Sequence, residues 1–125
     1  MTGQAQDAAQ PAGSAGSYEL VAPLGSVMTI MEDVFNKMPD RAKAGTPKDY
    51  KALRREAMFV AEMGNLFGRI KDRSSKKDWI DFTGTLKAAG LAMADSAAKG
   101  DGENFKKSFD KAKDSCGKCH DKYRD

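Results

Sequence analysis

Phe105-Lys-Lys-Ser-Phe109-Asp-Lys-Ala112-Lys-Asp-Ser-Cys116-Gly-Lys-Cys119-His120-Asp-Lys-Tyr123 sets its apolar and sulfur-bearing residues at alternating steps of four and three. That rhythm is one face of an α-helix. Gly102 opens this helix, with Asp101 as its cap. The same rhythm occurs three more times upstream. Leu20, Leu24, Val27, Met31, Val34 and Met38 define a first helix from about Tyr18, widened by Met28 and Phe35 and stopped at Pro39. Leu53, Val60 and Phe67 repeat every seven in a second, from about Pro47 to Asp72. Thr46 caps it, and Pro47 takes the first helical position, where its missing N–H costs nothing. Phe59, Met63, Leu66 and Ile70 broaden its apolar surface, while Gly64 and Gly68 permit close approach of another backbone or a flat ligand. Trp79, Phe82, Leu86, Ala89, Met93 and Ala97 define a third helix, from Lys76 to Lys99, with Ser75 as cap and Gly100 as stop.

Four amphipathic helices with short connections predict an all-α fold, an antiparallel up-down-up-down four-helix bundle. No segment alternates with the period of a strand. The chain has 125 residues, so the bundle is one domain, residues 18–125. Residues 1–17 are rich in Ala, Gly, Gln and Ser and carry one charged side chain. Such a composition cannot bury a core, and it predicts a flexible, disordered N-terminal tail or a tether.

The composition excludes several function classes. At 31% charged residues the chain reads as water-soluble, with no run of about 20 apolar residues to make a transmembrane segment. A net charge of +3, with acids and bases interspersed, gives no basic stripe for nucleic acid. No nucleophile stands beside a base, so an enzyme is not expected. Two cysteines three apart would close too small a loop for a stabilising disulfide.

Cys116-Gly117-Lys118-Cys119-His120 carries the chemistry. Thiols three apart share a helix face and can form thioethers to the two vinyl groups of one porphyrin edge. His120 lies one turn beyond Cys116, placed to bind iron from the proximal side. The motif therefore predicts one covalent haem c. A closed zinc site is a rival, but it needs four Cys or His ligands and this chain has three. Thioredoxin-like redox chemistry is another, but its cysteines sit at a helix N-terminus, where the dipole lowers the thiol pKa. These stand near a helix C-terminus. A third is a metal- or redox-switched interaction module. His120 is the only histidine, so a sixth iron ligand falls to one of seven methionines or to none. Composition alone does not choose among them.

The chain from about Tyr18 resembles the class II c-type cytochromes, the cytochrome c-prime family. The ending Cys116-Gly117-Lys118-Cys119-His120-Asp121-Lys122-Tyr123-Arg124 matches that family's C-x-x-C-H-x-x-[FY]-R. Ser26-Val27-Met28-Thr29-Ile30-Met31 through Phe35 and Met38 resembles its distal helix. The resemblance implies that Met28 is the distal iron ligand, because a methionine at this position marks the low-spin branch. Met31, Met58 and Met63 are its rivals. It also implies that Tyr123, Arg124, Leu24, Met31 and Phe35 lie in the haem pocket. Leu24 stands where the family often has an arginine beside a propionate. The implied function is a soluble electron-transfer cytochrome with an unidentified redox partner protein. The alternative is a five-coordinate, high-spin protein that binds nitric oxide or carbon monoxide. Members often pair through their first two helices, so a homodimer through helices 1 and 2 is a further expectation. Haem attachment of this type happens outside the cytoplasm, which predicts an exported, periplasmic or membrane-tethered protein. Met1-Thr-Gly opens no signal sequence within this chain. Lys106, Lys107, Lys111, Lys113, Lys118 and Lys122 would steer an acidic partner, or form an ordinary solvated face with Asp110, Asp114 and Asp121.

Overall fold

The computed structural model describes residues 19–71, 73 and 75–123, the last three of these without side chains. The expected tail at residues 1–17, the side chain of Tyr123 and Arg124 lie outside the described residues. Among the described residues there are four helices and no strand. We number them α1 (Leu24–Ala44), α2 (Pro47–Phe67), α3 (Lys77–Ala98) and α4 (Gly102–Tyr123). Each packs on its neighbours in the chain, and α4 closes the ring on α1. This is the expected four-helix bundle.

Local chemistry explains most of the boundaries. At the start of α2, Asp49 N–H donates to Thr46 Oγ1 at 3.1 Å and Thr46 N–H donates to Asp49 Oδ2 at 3.2 Å. Two otherwise orphaned donors are thereby satisfied. Gly100, at φ 67°, supplies the left-handed turn after α3. Asp101 Oδ1 then accepts from Asn104 N–H at 3.1 Å to begin α4.

Three boundaries correct the sequence reading. Helix α1 starts at Leu24 rather than Tyr18, because Pro23 occupies its N-cap position at φ −57° and ψ 137°. The residue before a proline is pushed out of the helical region, so the chain cannot run helically through Ala22. Helix α1 also passes through Pro39 and ends at Ala44. One missing N–H removes one helical bond, while Met38 stays fully buried and Arg41 pairs with Glu56 of α2, holding the next turn. Gly45, at φ 64°, makes the real stop. Helix α2 ends at Phe67 rather than Asp72. Beyond it the chain descends through short turns, Arg69 N–H to Leu66 and Ile70 N–H to Phe67. Ser75 is no cap. Lys76 takes that position without a side-chain hydrogen bond.

The core follows the expected stripes with a small rotation in α1, where Met28, Met31, Phe35 and Met38 are buried and Leu24, Val27 and Val34 only partly so. The seam between α2 and α3 is the tightest. A Cβ built on Gly90 would stand 2.6 Å from the Ala61 nitrogen, and one on Gly64 would stand 2.7 Å from the Lys87 nitrogen. Backbone therefore lies against backbone, and of the two uses expected for Gly64 the structure takes the first. Gly90→Ala is expected to lower stability by about 1–3 kcal/mol, overpacking outweighing a gain of about 1 kcal/mol in helix propensity. Gly84 has nothing within 4 Å of its built Cβ, so Gly84→Ala is expected to add about 0.5–1 kcal/mol. Denaturant midpoints of the two variants check the contrast.

Candidate haem-attachment site

The seam between α1 and α4 is the lightest of the four, and the Cys-x-x-Cys-His motif stands on it. Ser115 anchors the motif. Its hydroxyl donates to the Phe82 carbonyl of α3 at 2.8 Å, which fixes the rotation of α4 immediately before Cys116. Cys119 is then buried and Cys116 half-buried, both as free thiols.

Two voids meet the motif. A small one of about 20 Å³ is lined by Met28 and Met31 from α1, by Phe67, Phe82 and Leu86, and by Cys116, Cys119 and His120. A groove of about 530 Å³ is lined by Met31, Glu32, Phe35 and Asn36 from α1 and by Phe109, Lys113, Cys116 and His120 from α4. Met31, Cys116 and His120 belong to both. The structure thus brings Met28, Met31 and Phe35 beside the motif. Leu24 lines neither void; it packs part-buried at the edge of the core. Met58 is exposed and Met63 part-buried, and neither reaches the voids. Trp79 and Phe82 serve the third helix, although Phe82 also walls the small void.

Sequence reasoning missed Glu32. Its Oε1 lies 3.4 Å from His120 Nδ1, across the seam. A polar residue one turn after Met28, beside the buried Met31, was the only available signal. It also missed Thr83, whose hydroxyl is satisfied by the Trp79 carbonyl at 2.8 Å.

Electrostatics bear on the rival thiol reading. Burial pushes the Cys116 thiol up to about 12, helped by Cys119 and by the negative charge of Glu32. Burial pushes Cys119 up to about 11, against an opposing pull from Arg73. A redox dithiol needs the opposite, a thiolate stabilised near neutral pH. Among the described residues no three His, Cys, Asp or Glu side chains are gathered to hold a metal ion by themselves.

Three lysines of α4 pair along their own helix, Lys106 with Asp110 at 3.0 Å, Lys107 with Glu103 at 3.9 Å and Lys118 with Asp114 at 3.1 Å. Pairs at this spacing on an exposed surface describe a solvated face. Among the described residues no helix is long and apolar enough to cross a membrane.

A covalently held porphyrin needs both the motif's side chains and a space of its own size. Sites for ligands of roughly this class occupy about 300–1,000 Å³, which the groove supplies and the small void does not. Both thiols and the imidazole line the small void, with Met28 and Met31 opposite; of these, only Met31, Cys116 and His120 also line the groove. In comparisons with family models, curated proteins and solved structures, the chain matches none.

Proposed function

We propose that this chain is a small electron carrier with one covalent haem c, attached through Cys116 and Cys119. His120 is the proximal iron ligand and Met28 the distal one. The observation that supports this reading is the meeting of Met28 and Met31 with Cys116, Cys119 and His120 around one small void, with a larger groove beside it, at the loosest seam of the bundle. The haem supplies one-electron chemistry, Fe(III) to Fe(II). The chain's residues do the rest. Cys116 and Cys119 fix the ring against α4. Met28 and Met31, both buried, exclude water from the opposite side, and a thioether ligand raises the reduction potential. His120 and Met28 would together keep small molecules off the iron of a bound haem. Attachment of this kind places the protein outside the cytoplasm, where another redox protein exchanges electrons with it.

An absorption spectrum tests the proposal. A low-spin ferric spectrum with a weak sulfur-to-iron band in the far red is expected. A high-spin spectrum with ready carbon monoxide binding after reduction supports the gas-binding alternative instead. Met28→Leu is expected to abolish the far-red band and convert the iron to high spin, while Met31→Leu keeps it low-spin. The reverse pattern would assign the ligand to Met31. An unchanged band in both variants rejects methionine ligation by either.

A further inference from the structure

Glu32 is the one carboxylate of α1 that faces the motif. Asp33 beside it is exposed to solvent, whereas Glu32 lines the groove together with Cys116 and His120. Its Oε1 stands 3.4 Å from His120 Nδ1, an ion-pair separation slightly longer than a good hydrogen bond. The two side chains are only 34% and 18% exposed, so water screens their interaction incompletely.

An imidazole has two distinct nitrogens, and one bound to a metal leaves the other to donate a hydrogen bond. A carboxylate acceptor fixes the tautomer and the ring orientation, and makes the ligating nitrogen a stronger donor to the metal. From this geometry we infer that Glu32 is a positioning residue: it holds His120 through Nδ1–H, leaves Nε2 for the iron, and lowers the reduction potential. The inference rests on the haem reading above. It sets two opposed influences one turn apart on α1. Met28 favours the reduced iron, and Glu32, acting through His120, favours the oxidised iron.

The experiment is redox titration of the purified haem-loaded protein with Glu32→Gln, Glu32→Asp and, as a control for charge alone, Asp33→Asn. Glu32→Gln is expected to shift the Fe(III)/Fe(II) equilibrium about tenfold toward Fe(II), which is about 59 mV for one electron. Glu32→Asp keeps a carboxylate and restores most of the wild-type value. Asp33→Asn, removing an exposed and well-screened charge, shifts it much less. A Glu32→Gln potential equal to that of Asp33→Asn would overturn the inference. If Glu32→Gln fails to take up haem, the Nδ1 proton of His120 in the wild-type holoprotein decides by NMR. Slow exchange with solvent supports the pairing, and free exchange overturns it. Absence of covalent haem from the wild-type chain overturns the proposed function as a whole, whereas covalent haem with unmoved potentials overturns the role of Glu32 alone.

Discussion

Replacing Cys116 and Cys119 together by alanine is expected to give a protein that loses all its haem to acid-acetone extraction, while the wild-type chain retains its haem through the same treatment. Only thioether bonds survive denaturation, since the proposed ligation by His120 and Met28 would depend on the folded bundle. Each single replacement leaves one thioether, so Cys116→Ala and Cys119→Ala should each keep haem on the chain. Helix α4 tolerates the change. Alanine has a higher helix propensity than cysteine, and the Ser115 hydroxyl still anchors the helix to the Phe82 carbonyl. Circular dichroism of the double variant should therefore remain helical, separating loss of attachment from loss of fold. A pyridine haemochrome measured on denatured protein reads the result directly. Haem absent from the wild-type chain as well, in cells able to attach it, would refute the proposed function.

The second large effect concerns the fold. Trp79→Ala is expected to cost about 3–5 kcal/mol, the range for truncating a fully buried aromatic. That is a large part of a total stability of about 5–15 kcal/mol. Trp79 is 0% exposed. Its indole N–H donates to the Phe67 carbonyl at 2.6 Å, and the Arg73 guanidinium stands 5.0 Å from the ring centroid. One side chain near the start of α3 thus satisfies the end of α2 and supports the turn between them. Trp79→Phe separates the contributions. It keeps most of the apolar volume and loses the hydrogen bond, so about 1–2 kcal/mol is expected. Urea midpoints of the two variants check both figures.

The punctuation around Trp79 also shows where the sequence was legible. Thr46-Pro47 and Gly100-Asp101 carry their own backbone chemistry, and the boundaries they mark were readable without tertiary information. The end of α2 was not. Ile70 is buried and continues the apolar spacing, yet it sits in a turn, because apolar periodicity records burial and not helical hydrogen bonding. Pro39 misled in the opposite way. A proline costs a helix one bond, and here packing of Met38 and the Arg41–Glu56 pair outweighs it. The site divides similarly. Cys116, Cys119 and His120 are legible because their chemistry depends on local spacing. Spacing could place Met28 and Met31 on a face, but only the resemblance set Met28 opposite His120. Glu32 could not be found at all, since its relation to His120 arises only when α1 closes on α4, across 88 positions of chain.

The helix order has a mechanical consequence for the site. Helix α1 is clamped at its C-terminal end, where Gly45-Thr46 is the whole connection to α2 and Arg41 pairs with Glu56. Met28 and Met31 ride near its other end. His120 likewise rides near the end of α4 farthest from its short link to α3. Both halves of the site therefore lie at the end of the bundle away from these short links, where the Ser115–Phe82 hydrogen bond holds α4 to α3 but only the light α1–α4 seam holds α1 to α4. A small tilt is magnified at the free tip of α1 rather than of α4, so widening the gap between Met28 and His120 falls to α1 and draws Met28 and Met31 away from the core they help to fill.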